Sequence, residues 1–118
     1  MNTLFPAHLE ALPVRDKNRI EVDTVSIDSV LSELSGQVRL CKIDCEGAEL
    51  DILKSLSNPS RIDSFAIEYH PNAYRVRDLV AVMLNWGTHQ IAFGKSSPLL
   101  YAVRDEILCE HADSILDT

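Results

Sequence analysis

Val38-Arg39-Leu40-Cys41-Lys42-Ile43-Asp44-Cys45-Glu46-Gly47-Ala48-Glu49 is the stretch on which the fold turns. It begins as an apolar run without clean polar alternation, the pattern of an inner strand covered on both faces. It then turns acidic and passes into a segment where Leu50, Ile52, Leu53 and Leu56 fall on one arc at helical spacing. The pattern predicts a strand over Val38 to Cys45 and a helix from Glu46 to about Leu56, led in by Asp44 or Cys45. Asn58-Pro59 breaks that helix. A glycine in a helix's first turn costs stability, so Gly47 points to a close backbone approach by a ligand or a neighbouring strand.

Working outward, Ile20 to Ile27 is rich in β-branched residues and reads as a strand. Ser26 or Asp28 can cap a short helix carrying Val30, Leu31 and Leu34, with Gly36 as its stop. Downstream, Phe65 to His70 is an apolar strand ending in polar residues. A second amphipathic helix carries Val76, Leu79, Val80 and Met83 and stops at Gly87. His89 to Phe93 and Leu99 to Arg104 flank Gly94-Lys95-Ser96-Ser97-Pro98, the pattern of an antiparallel pair. The order predicts an α/β domain with a parallel centre and an antiparallel C-terminal strand pair. Residues 1–19 read as an irregular arm with a short helical turn around His8 to Leu12, and 20–104 as the domain. Residues 105–118 read as an amphipathic tail with Ile107, Leu108, Ala112, Ile115 and Leu116 at helical spacing.

With 118 residues and 46% hydrophobic side chains, the chain suits one small domain with a real core. Eleven basic against 18 acidic residues leave a charge of −7, which argues against a general nucleic-acid or anionic-membrane surface. No apolar stretch approaches the roughly 20 residues a membrane span requires, and Met1 to Glu10 lack a secretory pattern. Cys41, Cys45 and Cys109 show no metal-finger spacing, so a reduced, cytoplasmic setting is expected. Cys45 adjoins the predicted helix N-terminus, which lowers a thiol pKa, but it has no evident base partner. His8, His89 and His111 are isolated and read as surface or packing residues, and Trp86 as an anchor at the helix end. The four glycines, at 36, 47, 87 and 94, form no phosphate-binding loop.

In an open α/β sheet, ligands bind beyond the carboxyl ends of the strands. Alternation places Lys42 and Asp44 on one face of the first strand, and Glu68 and His70 on one face of the second. If these strands are parallel neighbours, Asp44, Glu68 and His70 meet near the rim with Lys42 one step deeper. That set offers carboxylate acceptors and an imidazole titrating near neutrality. It also suits a divalent ion chemically, although no pair shows diagnostic ligand spacing and no metal is expected. The blander alternative is an interior Lys42–Glu68 ion pair with Asp44 capping the next helix. Glu46 and Glu49 fall in the predicted first turn, where the macrodipole favours negative charge.

Lys42-Ile43-Asp44-Cys45-Glu46-Gly47-Ala48-Glu49 resembles the K-I-D-x-E-G-A-E signature of FkbM-type methyltransferases. Val25 to Leu31 looks like that family's V-x-L-D-x-L-L segment, Ile67-Glu68-Tyr69-His70-Pro71 like its I-E-x-H-P strand end, and Leu100-Tyr101-Ala102 like its closing strand. The resemblance covers roughly residues 20 to 104. It implies S-adenosylmethionine as cofactor, O-methylation of a small hydroxylated acceptor, and the C-terminal half of a Rossmann-like sheet of seven strands. The strands here would be the fourth to seventh, without the glycine-rich loop that holds the cofactor's methionine part or the acidic residue for its ribose. By the same resemblance, Asp44, Glu46 and Gly47 line the cofactor and substrate cleft. Asp44, Glu68 and His70 are then the catalytic candidates, with His70 the better base for a hydroxyl.

Two other classes remain open at this point. One is a catalytically silent half-fold serving as an assembly or binding module, with a second copy or a partner chain covering the open sheet edge. The other is a small metal-dependent hydrolase built on Asp44, Glu68 and His70.

Overall fold

A computed structural model describes residues 19–96 and 98–109 of the chain. The expected arm with its turn at His8 to Leu12, together with His111, Ala112, Ile115 and Leu116 of the tail, lies outside them.

The first regular element is helix α1, Ile27–Ser32. Ser26 adopts the extended conformation of an N-cap, and its hydroxyl accepts from the Ser29 N–H at 3.1 Å. Asp28 sits in the first turn and instead accepts from the Ser57 N–H at 3.0 Å. The other end is held from outside. Arg61 donates through Nε to the Gly36 carbonyl at 2.9 Å, and through its other nitrogens to the carbonyls of Leu31 and Leu34.

Strand β1 is Val38–Ile43 and helix α2 is Glu49–Ser55. A 3-10 turn, Pro59–Arg61, leads into β2, Ile62–Glu68. Helix α3, Val76–Trp86, ends at Gly87 in the left-handed region, as its spacing predicts. Strands β3, His89–Phe93, and β4, Leu99–Arg104, form the antiparallel pair. Residues 105–109 are helical.

The sheet runs β1-β2-β4-β3. β1 and β2 are parallel, with Lys42 opposite Ala66 and Ile43 opposite Ile67. β4 returns antiparallel to β2, placing Leu100 opposite Ile67 and Ala102 opposite Phe65. This is the mixed α/β, Rossmann-like arrangement with a parallel centre and an antiparallel C-terminal pair. The core joins Ile43, Phe65, Ile67, Leu100 and Ala102 from the sheet to Leu53, Leu56, Leu79 and Met83 from α2 and α3. Each large side chain so buried contributes about 1.5–3 kcal/mol.

Two expectations fail here. Residues 19–26 form no strand, and Ile20, Val22 and Val25 are exposed. β-branched residues favour extended backbone, but a strand needs a partner edge, and none of the described residues supplies one. Nor is β1 covered on both faces. Leu40 is 61% exposed, and the row Lys42, Ala66, Tyr101, Ala92 faces away from the core. The helices of the described core pack on one side only.

His89 is a packing residue. Its Nε2–H donates to the Ile62 carbonyl at 2.7 Å, and its Nδ1 lies 2.8 Å from the Thr88 hydroxyl. Its ring packs with Phe65 and Trp86, whose own centroids are 5.1 Å apart.

Candidate functional site

The loop between β1 and α2 begins where β1 ends at Ile43. The predicted helix start at Glu46 is incorrect. Glu46 has φ 52° and Gly47 φ 111°, so the chain turns sharply before α2 can begin at Glu49. A side chain at Gly47 would also collide with Ala73, because an added Cβ would stand 2.9 Å from the Ala73 Cβ. The close approach inferred for Gly47 is real, and the neighbour is the loop that follows β2. Two loops at the carboxyl ends of parallel strands are thereby pressed together.

Glu49 joins them. Its side chain is fully buried. One carboxylate oxygen accepts from the N–H groups of Cys45 at 2.8 Å and Gly47 at 3.2 Å. The other accepts from the Tyr74 hydroxyl at 2.7 Å and faces His70 Nδ1 at 2.9 Å. Tyr74 in turn accepts from the His70 backbone N–H at 3.0 Å. Burial pushes the Glu49 carboxyl up, but the bonds from Tyr74, His70, Cys45 and Gly47 outweigh it and hold the pKa below the usual value. Tyr74 is pushed upward by burial and by its bond to Glu49.

A carboxylate only accepts, so the bond to Glu49 places the proton on His70 Nδ1. In the neutral ring the lone pair is then on Nε2, which faces the loop carboxylates. Asp44 Oδ1 is 3.8 Å away and Glu46 Oε2 3.9 Å. Burial pulls the His70 pKa down, while the bond to Glu49 and the charges of Glu49, Glu46 and Asp44 raise it further, for a net rise. Glu68 shares a hydrogen bond with Asp44, which lifts its carboxyl above the usual range, helped by the Asp44 charge.

The sequence-predicted set therefore divides. Asp44, Glu68 and His70 do meet at the rim. Glu46 stands beside them, and Gly47 is buried with its N–H committed to Glu49. Lys42 is exposed and, among the described residues, forms no ion pair with Glu68, and Asp44 does not cap α2. Cys45 lies ahead of the true helix start, and burial followed by the Glu49 charge raises its thiol pKa instead of lowering it. All three cysteines are free.

Glu49 and Tyr74 were the residues sequence reasoning missed. The first-turn position of Glu49 has a sufficient local explanation in the helix dipole, and Tyr74 carries only a faint signal, four residues beyond His70. Chemically, the rim offers an oriented imidazole lone pair and a carboxylate cluster suited to a cation, a sulfonium or a hydroxyl donor. Single ligand atoms of Asp44, Glu46 and His70 lie within 4.8 Å of one another.

Among the described residues, no helix is long and apolar enough to cross a membrane. A family model described as the methyltransferase FkbM domain matches residues 2–97. No curated protein and no solved structure matches.

Proposed function

This chain belongs to the FkbM methyltransferase domain family, and from that premise we propose that it forms the acceptor side of an S-adenosylmethionine-dependent O-methylation site. The observation that carries the reading is His70, held through Nδ1 by a buried carboxylate with Nε2 turned toward the rim. The acceptor is a small hydroxylated molecule. When bound, the cofactor would supply an electrophilic methyl group to the acceptor oxygen and would take up the electrons of the broken carbon–sulfur bond as a neutral thioether. The hydroxyl proton passes to His70 Nε2. Such transfer needs mainly alignment and a proton acceptor. Asp44 and Glu46 would hold the cationic end of the cofactor by their negative charge, and Glu68 and His70 would face the acceptor. Gly47 acts indirectly, by letting the two loops close.

The methionine and ribose ends of the cofactor call for a glycine-rich loop, which these 118 residues do not contain. In this reading, residues outside this sequence complete the pocket, and the chain alone does not turn over. They would also cover the outer edge of β1, which no described residue pairs with, as would a second copy or a partner chain. The free cysteines fit a reducing, cytoplasmic compartment.

Calorimetric titration with S-adenosylmethionine, with and without a polypeptide carrying a glycine-rich strand-loop-helix segment, tests the reading. Binding is expected only in the completed pair, and His70→Gln should then lower kcat by about 100-fold or more. No heat in either arm overturns it.

Among the described residues nothing pairs with the outer edge of β1, and that supports a second reading, a binding or assembly module without turnover. Light scattering addresses it, and a strictly monomeric chain that takes up no partner would count against it.

A further inference from the structure

We propose that Asp44, Glu46 and His70 bind a divalent cation of the manganese and magnesium class. The donor set is mixed, one imidazole nitrogen and two carboxylates, contributed by two separate loops. His70 Nε2 stands 3.8 Å from Asp44 Oδ1 and 3.9 Å from Glu46 Oε2, and the three donor atoms lie within 4.8 Å of one another. An octahedral ion with ligands at about 2.1 Å separates neighbouring donors by about 3.0 Å and opposite ones by about 4.2 Å. The two distances from Nε2 fall between these limits and the three donors lie within 4.8 Å, so shifts well below the length of a side chain bring all three onto one ion. Glu46, 79% exposed at its side chain, is free to make that shift.

A second observation separates this cluster from an ordinary solvated acidic patch. The imidazole is held from behind by Glu49, a fully buried carboxylate anchored by two backbone amides and a tyrosine hydroxyl. A metal-ligating histidine characteristically donates its other ring N–H to such a group, which fixes the ring and makes the ligating nitrogen more basic. Here the whole order is present, from Glu49 through Nδ1 and Nε2 to an open position flanked by two carboxylates. Hard oxygen donors in the majority favour magnesium or manganese over zinc, and the single imidazole tilts the choice toward manganese. The two carboxylates balance the charge of the ion, and water completes its shell.

This site goes beyond the methyltransferase reading and does not depend on it. An ion and a proton compete for the same lone pair on Nε2. The proton-acceptor role of His70 therefore belongs to the site without an ion. Binding is accordingly measured on the chain as it stands, with neither cofactor nor acceptor present.

Titration of the protein with Mn2+, followed by the electron paramagnetic resonance signal of free ion, should show one saturable site that Mg2+ displaces. Glu46→Gln and Asp44→Asn should each weaken binding at least tenfold. Glu49→Gln, which does not touch the ion, should weaken it by about 10–100-fold. Glu106→Gln, far from the cluster, should leave it unchanged. Glu46→Gln alters an exposed side chain, so its fold, checked by circular dichroism, remains a sound reference if Glu49→Gln proves unstable. Absence of saturable binding up to millimolar Mn2+, or binding undiminished in both Glu46→Gln and Asp44→Asn, overturns the proposal.

Discussion

Replacing Glu49 by alanine should be among the most damaging single changes available to this chain. The carboxylate is fully buried and receives the N–H groups of Cys45 and Gly47, the Tyr74 hydroxyl and His70 Nδ1, at 2.8, 3.2, 2.7 and 2.9 Å. Truncation leaves the Gly47 amide buried without an acceptor, at about 1–3 kcal/mol. The bonds from Cys45, Tyr74 and His70 are also lost, but those groups are only partly buried and recover some of their loss from water. The sum is about 3–5 kcal/mol, the range seen when one partner of a buried polar pair is removed. Against a total stability of about 5–15 kcal/mol, that loss is large. Urea unfolding followed by Trp86 fluorescence measures it, and with m near 1–2 kcal/mol/M the midpoint should fall by about 1.5–5 M. Glu49→Gln keeps one oxygen for the two amides and presents NH2 where Tyr74 and His70 need an acceptor. Tyr74 can then accept instead of donate, and the imidazole can change tautomer, so this variant should lose only about 1–2 kcal/mol. A loss below about 1 kcal/mol for Glu49→Ala would refute the reasoning, because it would mean that this carboxylate joins the loops in appearance only.

Stability should also depend on pH in a way set by the same cluster. Glu49 titrates below its ordinary value, so its contribution is present above about pH 4.3 and is lost as pH falls through the depressed folded value. His70 titrates above its ordinary value, so its contribution is complete below about pH 6.5 and fades as pH rises through the raised one. Glu68, also raised, makes a contribution that is complete below about pH 4.3 and fades as pH rises through its raised value. With Asp44, Glu46, Glu49, Glu68 and Tyr74 around the imidazole, thermal melts from pH 3 to 9 should peak between about pH 4.5 and 6.5. Glu49→Gln should flatten the alkaline limb, and an unchanged limb would contradict the assignment. Gly47→Ala must hold φ at 111° and place a Cβ 2.9 Å from that of Ala73. A loss of about 2–4 kcal/mol is expected in urea unfolding, and near-neutral behaviour would show that the loops are not in close contact. Arg61→Ala removes the donor that caps the Leu31, Leu34 and Gly36 carbonyls. It should lower stability by about 1–2 kcal/mol and speed amide exchange in α1, and unchanged exchange would refute the clamp.

Reading the chain without its structure worked where periodicity and punctuation are local. α3, its stop at Gly87 and the β3–β4 pair all follow from spacing and turn residues. It failed for residues 19–26, because an extended propensity does not create a neighbouring edge, and at Glu46, because helical spacing begins before the backbone is able to coil. The rim set of Asp44, Glu68 and His70 was legible from side-chain alternation on two strands, once those strands were taken as parallel neighbours. What alternation cannot carry is contact between loops. Glu49 lies 21 residues before its imidazole partner and 25 before its tyrosine.

Residue pattern alone set the order of elements from α1 to β4, the core face of each helix, and which polar groups arrive at the carboxyl edge. All of these depend on side-chain period and on the few residues that permit or forbid a turn. Long-range packing made Glu49 a buried anchor instead of a solvated first-turn acid. It alone fixed the tautomer of His70 and turned Nε2 toward Asp44 and Glu46. Such assignments depend on which donors surround a buried carboxylate, and those donors gather only when Gly47 and Ala73 let two distant loops touch.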